Sequence, residues 1–319
     1  MNIEFHYYIT KLVAVEAGLM PDEAEIVAYA SQFVDDNNQV YTVEQPDGDT
    51  YTNLTTQYKD ITAPPAEKLR INLLHHYLPG NPTNSKVRRD DGKMHSLMTT
   101  PVSQHAQEIF FDTTKGENLY KLGIAAHMLA DSVSHQNFIG IRDEMNNIQP
   151  AGTPLKPFIG HEDAGYKPDI PVLMWYDPRL PAKNAQINNI ERTLMAAQKL
   201  YTNFLMLTAE QSSWGKLKQK LLTVLSEPIT EDALQLAVDN TEKRILSYRA
   251  LLAEVDADSV YEKDKWTNDC ILTDGETYHF ADNYTQKAWY RFQESVKQYQ
   301  AIAANKLGSI LQQVNIQGW

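Results

Sequence analysis

Cysteine is nearly absent from this sequence. The chain of 319 residues contains a single one, Cys270, so no disulfide can form within it. A zinc site built from cysteines and a Cys-x-x-Cys redox site are excluded for the same reason. Any metal site must therefore use histidine, aspartate and glutamate side chains.

Long hydrophobic runs are also missing. No stretch reaches the ~18 consecutive apolar residues that a transmembrane helix needs. The first residues, MNIEFHYYITKLVAVEAG, lack the basic start and the unbroken apolar core of a signal peptide. We expect the chain to be made and to stay in the cytoplasm, unless a secretion system that needs no signal peptide exports it.

Positive charge is scarce. The chain has 29 lysines and arginines against 41 aspartates and glutamates, a formal net charge of −12 and a pI near 5.2. This balance argues against a protein that binds nucleic acid or anionic lipid without specificity, because either would need a basic surface. It does not exclude an enzyme that acts on phosphates through metal ions, since the ions supply positive charge locally.

The spacing of apolar residues predicts a mainly α-helical protein. Apolar positions recur three and four residues apart, and Pro21 followed by acidic residues is typical of a helix start. Helices are predicted over 9–17, 21–37, 65–77 and 102–138 with a break near 115–116, two or three more between 185 and 253, and a long one ending near 310.

Two regions depart from the helical pattern. Residues 39–56 are rich in Val, Tyr and Thr around a Pro-Asp-Gly turn, which predicts a β-hairpin or an extended flap. Residues 139–182 hold many prolines and glycines and predict a long irregular loop, whose aromatic side chains argue against disorder. We expect one domain over 1–319, with a metal-site half at about 1–180 and a helical completion at about 185–319.

Eight of the nine histidines lie in the first 161 residues. The strongest local signal is His127, Asp131 and His135, which are four residues apart and share one face of a predicted helix. The rise from His127 to His135 is about 12 Å, too long for both rings to bind one ion. The spacing favours His127 and Asp131 on one metal and His135 on a second, with Asp131 able to bridge. A hydrogen-bonded stripe on a solvated face is the alternative.

Other candidates stand at predicted helix ends or in loops. Two carboxylates at a helix C-terminus oppose the helix dipole and gain from a nearby cation, although a solvated helix end explains them too. Each remaining histidine can equally be a surface or core residue. These further candidates are Asp35 and Asp36, His75 and His76, His6 among aromatics, and His161 with Glu162, Asp163 and Asp169.

The order of these segments resembles the zinc-dependent phospholipase C and S1–P1 nuclease superfamily. The likeness is closest to an uncharacterised bacterial branch, on the segments FHYYIT, VAYASQFVDD, H-Y-L-P-G, H-x-x-x-D-x-x-x-H and GH-x-x-x-G-x-x-PD. It covers roughly residues 1–175, and the remainder matches only as helices. The resemblance implies a mostly helical bundle and enzymes that cleave phosphodiester bonds with a zinc-activated water.

Carried over position by position, the resemblance implies two zinc ions and allows a third. Two residues of this sequence depart from the superfamily. The chain starts with Met1 where the superfamily has an N-terminal Trp that binds the third zinc, and Gly165 stands where it has a Glu. The implied ligands are Asp36 or Asp35, His76, His127 and Asp131 for the first zinc; His135, His161 and Asp169, with Asp163 and Glu162 in reserve, for the second; and His6 with Asp131 for the third.

These residues predict a zinc-dependent phosphodiester hydrolase, most nearly a phospholipase C. A carboxylate that is not a ligand, Asp35 or Asp36, would serve as the general base. The expected substrate is a phospholipid or another phosphodiester, with transient membrane contact. One alternative is a single-strand nuclease or nucleotidase on the same scaffold, and another is a non-catalytic, metal-stabilised binding protein.

Overall fold

Helix dominates the structure, which confirms the predicted mainly α class: 58% of it is helical. The computed structural model describes residues 1–58, 65–149, 157–209 and 213–314. The α-helices are α1 (Thr10–Glu16), α2 (Pro21–Asp36), α3 (Pro65–Ile71), α4 (Gln104–Thr114), α5 (Leu119–Ser134), α6 (Ala182–Ala185), α7 (Asn189–Thr208), α8 (Trp214–Leu225), α9 (Leu234–Asp239), α10 (Thr241–Ala253), α11 (Lys265–Cys270) and α12 (Ala288–Gln313).

Two short π-helices extend the α-helices of the first half. One, Glu4–Ile9, runs directly into α1, so the first helix begins earlier than the sequence predicts. The other, Asn72–His76, continues α3, and the backbone N–H of Tyr77 closes its last turn by donating to Asn72 O at 2.7 Å. Both π-helices carry predicted ligands. Short 3-10 turns connect other elements at Ser85–Val87, Glu144–Asn146, Glu162–Ala164, Lys167–Asp169, Glu231–Ala233 and Tyr284–Gln286.

Helix α5 lies at the centre of the packing. It contacts α2, α4, α7 and α12, so helices from both predicted parts of the chain pack around it. Gly123 allows the close approach to α2, because a Cβ there would lie 2.4 Å from Val27 O and 2.5 Å from the Cβ of Ala30. The side chain of Asn118 caps the helix by accepting a hydrogen bond from the N–H of Lys121 at 3.1 Å.

The predicted hairpin within 39–56 is present and forms part of a larger sheet. Strands β1 and β2 pair antiparallel, with Val43 opposite Tyr51. Strand β9 then pairs with β1 in parallel, which gives a sheet of order β2-β1-β9-β8. The strands are β1 (Thr42–Glu44), β2 (Thr50–Thr52), β3 (Arg142–Asp143), β4 (Phe158–Ile159), β5 (Leu173–Tyr176), β6 (Gln186–Asn188), β7 (Ile229–Thr230), β8 (Ile271–Thr273) and β9 (Tyr278–Phe280).

The predictions for residues 139–182 and for residues 185–253 need correction. The region 139–182 is more ordered than an irregular loop, since it contributes β3, β4 and β5, although the part from 150 to 156 lies outside the described residues. Among the described residues between 185 and 253, four α-helices are longer than one turn, where two or three were predicted. Helix α8 ends where Ser226 adopts a positive φ of 54°, and α9 and α10 are separated at Asn240.

The last helix secures the segment that carries His76. The hydroxyl of Tyr299 donates to Leu74 O at 2.6 Å, and Gln300 Nε2 lies 3.0 Å from His75 Nε2. Buried aromatic side chains of α12, including Trp289 and Phe292, belong to the hydrophobic core. Among the described residues, no helix combines the length and the apolar character needed to cross a membrane.

Candidate metal centre

Four segments that are distant in sequence bring the predicted ligands together. His6 comes from the first π-helix, Asp35 from the last turn of α2, and His76 from the end of the second π-helix. Helix α5 supplies His127 and Asp131 on one face, as the spacing predicts. The close α2–α5 packing therefore places a carboxylate of one helix against the histidine of the other.

The first group of donor atoms has the dimensions of a tetrahedral metal site. Asp131 Oδ2 lies 3.1 Å from His76 Nδ1 and 3.1 Å from His127 Nε2, and these two nitrogens are 3.2 Å apart. Asp35 Oδ1 lies 3.8 Å from each of them. Tetrahedral zinc with bonds of about 2.0–2.1 Å holds its ligand atoms about 3.3 Å from one another. These distances lie in the range of ligands around one ion, so the group could hold a metal ion.

The remaining ring nitrogens of these histidines are held by backbone carbonyls. His127 Nδ1 lies 2.8 Å from Ser31 O, and His76 Nε2 lies 2.9 Å from Thr56 O. Because a carbonyl only accepts, each of these nitrogens carries a proton, and the other nitrogen of each ring faces Asp131. Metal-binding histidines in proteins are oriented by the same kind of contact.

A second group consists of His135, His161 and Asp169. His135 Nε2 lies 2.9 Å from Asp169 Oδ1, and His161 Nε2 lies 3.4 Å from Asp169 Oδ2. Their Nδ1 atoms lie 2.9 Å from His76 O and 2.8 Å from Gly165 O, so both rings again turn a lone pair toward the carboxylate. Lone pairs that face carboxylate oxygens at these distances repel unless a proton or a metal cation lies between them.

The predicted third group, His6 with Asp131, also forms. His6 Nε2 lies 3.2 Å from Asp131 Oδ1, and the rings of His6 and His127 stack with centroids 3.9 Å apart. Within the described part of the chain, neither ring nitrogen of the buried His6 has a hydrogen-bond partner. Among the described residues, three groups could hold a metal ion. They are Asp35, His76 and His127; His135, His161 and Asp169; and His6, His127 and Asp131.

The amino group of Met1 lies between the two carboxylates that serve these groups. It contacts Asp131 and is 3.2 Å from Asp169 Oδ1 and 3.5 Å from His135 Nε2. Burial alone would lower the pKa of this amine, but the negative charges of Asp131, Asp169 and Asp35 outweigh it and raise the pKa to about 10.

Burial also shifts the pKa values of the ligands. It lowers the pKa of His135 to about 4 and holds the pKa of His6 well below the usual 6.5. Burial raises the pKa of Asp35. For Asp131, burial acts in the same upward direction, but His135 and the other surrounding positive groups outweigh it and keep the pKa well below its usual value. For His76, burial acts downward, but the hydrogen bond and charge of Asp131 outweigh it and raise the pKa, so a metal ion would have to displace a proton there.

The structure brings Asp35 to the histidines and turns Asp36 away, which corrects the choice of Asp36 as the first carboxylate ligand. Asp36 Oδ2 accepts hydrogen bonds from Tyr261 at 2.9 Å and Gln32 at 3.1 Å, while its Oδ1 lies 3.0 Å from Lys263 Nζ. Adjacent residues of a helix point about 100° apart, so only one of the two aspartates can face α5.

Among the loop carboxylates, Asp169 alone joins a metal group. The reserve candidate Asp163 accepts hydrogen bonds from Ile148 N at 2.8 Å and from Gln149 Nε2 at 2.6 Å, and Glu162 accepts one from Ile159 N at 3.1 Å. Both reserve carboxylates thus hold the loop in shape.

The metal groups lie at the base of an open cavity of about 540 Å³. Tyr77 lines it, stacks on the ring of His135 with centroids 4.9 Å apart, and accepts a hydrogen bond from the N–H of His161 at 3.3 Å. Gly160 leaves room for this ring, since a Cβ there would come within 2.1 Å of it. Sequence reasoning did not identify Tyr77 as a site residue, although it directly follows the predicted ligand His76.

Four further wall residues also escaped the sequence analysis: Tyr58, Lys68, Arg142 and Tyr166. They come from separate segments, and no spacing along the chain links them. The histidines outside the predicted set behave differently from the ligands. His95, His105, His279 and the buried His75 belong to none of the metal groups found among the described residues.

These features define a mainly helical protein in which buried histidines and aspartates could hold metal ions at the base of a cavity. Residues 1–307 match the family of unknown function DUF6765, and the chain belongs to this family. No curated protein matches the chain. No solved structure matches it.

Proposed function

We propose that this protein is a zinc-dependent phosphodiester hydrolase, with a bundle of the phospholipase C and P1 nuclease type. One observation carries the proposal. Four donor atoms, from Asp35, His76, His127 and Asp131, stand 3.1–3.8 Å apart in the pairs described above, with both rings oriented by backbone carbonyls. The adjoining group on Asp169 supports a second ion nearby.

The proposed ligands form two neighbouring metal sites. Asp35, His76, His127 and Asp131 would hold the first, and His135, His161 and Asp169 the second, with His6 and Asp131 available to a third. Bound zinc would lower the pKa of a water molecule to about 7 and polarise the phosphodiester. Histidine and carboxylate ligands suit zinc where cysteine is absent.

Of the two carboxylates predicted to be catalytic, Asp35 is the one placed to act. It lines the cavity, and its side chain is 26% exposed, whereas Asp36 is occupied by Tyr261 and Lys263. Burial raises its pKa. We propose Asp35 as a ligand of the first ion, and the general-base role predicted from the sequence stays a prediction.

A phospholipid is the first candidate substrate. The cavity is open, and Tyr166 at its wall is 76% exposed, so an aromatic ring is available to contact a headgroup or a membrane surface. Transient membrane contact would follow from this substrate.

A nucleotide or a single strand of nucleic acid is the second candidate, and the cavity wall favours it. Tyr58 and Tyr166 offer aromatic faces for bases, and Lys68 and Arg142 offer positive charge for phosphates. The ammonium group of Lys68 lies 5.6 Å from the centre of the Tyr58 ring, which places charge and stacking surface together.

Metal content and turnover measured on the same preparation test the proposal. Elemental mass spectrometry on protein purified without a His-tag or chelator should find two or three zinc ions per chain. The protein should hydrolyse bis-p-nitrophenyl phosphate and either phosphatidylcholine vesicles or single-stranded DNA, and a chelator should stop it. His127→Ala should lose zinc, lower the melting temperature and reduce turnover by more than about 100-fold, since even the loss of a ligand's supporting contact costs 10–100-fold.

His279→Ala is the matched control, because His279 lies on β9 outside the metal groups, and it should keep full zinc content and turnover. Bound zinc without hydrolysis of any of the three substrates would instead support a non-catalytic, metal-stabilised binding protein. Protein that binds no zinc when zinc is supplied would refute the proposal.

A further inference from the structure

A second cavity, of about 580 Å³, lies apart from the metal centre and shares none of its lining residues. Loop residues before α4, the segment around α6 and the first turn of α7 form its walls. We call it the basic cleft after its four cationic side chains, Lys86, Arg88, Lys183 and Arg192.

The basic cleft is positively charged, although the whole chain carries a net negative charge. Its four cations face a single carboxylate, Glu191, whereas the chain carries a net charge of −12. Lys86, Arg88 and Lys183 are exposed, and no carboxylate of a described residue pairs with any of them. Such a concentration of positive charge stabilises a bound anion.

Arg192 is the second and independent observation. The residue is 7% exposed, and it donates from Nη1 to Ser134 O at 3.0 Å. Its guanidinium also lies 5.8 Å from the ring centre of Trp175. No described carboxylate forms an ion pair with it. The aspartate that acts on it through space, Asp177, is held by Arg179 through contacts of 2.9 and 2.7 Å.

A buried guanidinium without an anionic partner is costly. Burial lowers the pKa of Arg192 to about 10, so the group keeps its charge at neutral pH. An anion in the cleft would supply the missing partner. Two arginines favour a phosphate group in particular, because the planar guanidinium matches two of its oxygens at once.

We propose that the basic cleft binds a small phosphorylated ligand, with Arg192 and Arg88 on its phosphate group. The polar side chains of Gln136, Asn184, Gln186 and Asn188 also line the cleft and would hydrogen-bond the rest of the molecule. This site is separate from the metal centre, and it does not depend on the proposed hydrolase activity.

Calorimetric titration of the full chain with inorganic phosphate and with pyrophosphate tests the proposal. The variant Arg88→Gln/Lys183→Gln removes two exposed cations of the cleft, so it should fold normally. The matched control, Lys216→Gln/Lys218→Gln, removes the same charge from exposed side chains of α8 that line neither cavity. We expect the cleft variant to weaken binding of at least one of the two anions about tenfold and the control to leave that binding within about twofold.

Arg192→Gln, checked for folding by circular dichroism, should weaken the same binding, because we place the buried guanidinium in contact with the anion. The proposal is overturned if neither anion binds the chain, or if the cleft variant binds both as tightly as the unaltered protein. An equal loss of binding in the Lys216→Gln/Lys218→Gln variant would trace the effect to net charge rather than to the cleft and would also overturn it.

Discussion

The buried histidines are arranged by single hydrogen bonds to the backbone. His76, His127, His135 and His161 each have one ring nitrogen within 2.9 Å of a carbonyl oxygen. Each contact fixes which nitrogen carries the proton and leaves the other nitrogen facing a carboxylate. The carboxylates of the site thus need positive charge nearby, and the amino group of Met1 supplies part of it at Asp131 and Asp169.

Asp35 and Asp36 are adjacent aspartates, so substituting each in turn tests which of them is the metal ligand. Asp35→Asn replaces a carboxylate that lies 3.8 Å from His76 Nδ1 and should remove zinc from the first site, which elemental mass spectrometry detects. Asp36→Asn changes the charge equally, but within the described part of the chain Asp36 contacts Tyr261, Gln32 and Lys263 and none of the metal groups, so this variant should retain zinc. Equal zinc content in the two variants would contradict the assignment of Asp35.

The protonation of His75 provides a test that does not involve a ligand. This ring is fully buried, and burial, followed by the charges of His76 and Arg70, holds its pKa well below the usual 6.5. Between pH 7 and pH 5 the unfolded chain therefore gains a proton at this position and the folded chain does not. Because the unfolded state binds more protons, the free energy of unfolding falls as the pH falls.

His75→Gln should reduce that pH dependence. On going from pH 7 to pH 5 the unaltered protein should lose up to about 2 kcal/mol more stability than the variant, measured by urea unfolding at each pH. The ligands titrate in both proteins and cancel in the difference. Identical pH dependence would mean that the buried ring takes up its proton in the folded state as readily as in the unfolded state, and would contradict the lowered pKa.

At the scale of elements, the crossing of α2 and α5 positions the first metal group. Helix α2 ends at Asp36, one residue beyond Asp35, and α5 carries His127 and Asp131. The π-helices add to this arrangement, since the wider turn of a π-helix is a feature often found at functional sites. Here the two π-helices carry His6 and His76.

Gly123→Ala should disturb this crossing. The added Cβ would lie 2.4 Å from Val27 O, a backbone atom, so α2 must move away from α5. We expect a loss of about 1–3 kcal/mol in the free energy of unfolding and weaker zinc retention, measured by denaturant titration and elemental mass spectrometry.

Gly308→Ala is the control for the Gly123 experiment. Gly308 lies within α12, and no atom outside its own helix backbone stands within 4 Å of a Cβ added there. Alanine should therefore stabilise the protein by about 0.5–1 kcal/mol through helix propensity and leave zinc content unchanged. A similar response of the two glycines would show that the α2–α5 contact does not limit the site.

At the scale of the whole molecule, the second half of the chain holds the first in place. Arg244 of α10 donates from Nε to Glu4 Oε2 at 2.6 Å and from Nη2 to Glu4 Oε1 at 2.8 Å, and both side chains are buried. Glu4 begins the π-helix that carries His6. The ion pair therefore connects a helix remote in sequence to a ligand segment.

Arg244→Met should cost about 3–5 kcal/mol of unfolding free energy, because it leaves the Glu4 carboxylate buried without its partner. The double variant Glu4→Gln/Arg244→Met removes that charge and should recover most of the loss. Thermal and urea unfolding of both variants measure the difference. A double variant no more stable than the single one would show that the ion pair is not the main contribution of Arg244.

Much of the local structure can be read from the sequence because it depends on neighbours along the chain. Helical periodicity predicts α5 and places His127 and Asp131 on one face, and the Pro-Asp-Gly turn predicts the β1–β2 hairpin. The pairing of β1 with β9 was not predictable in this way. Val43 and its partner Tyr278 lie far apart in the chain, and no local rule of spacing connects them.

The chemistry of the candidate site can be read from the sequence: histidine and aspartate without cysteine, within residues 1–180. Which of these side chains meet depends on the folded chain. Asp35 rather than Asp36 faces the histidines because α2 packs on α5 with one side of its last turn, and Asp169 rather than Asp163 reaches His135 because Asp163 is held by Ile148 and Gln149. Such choices depend on how helices and loops pack, and packing brings together residues that no spacing along the chain connects.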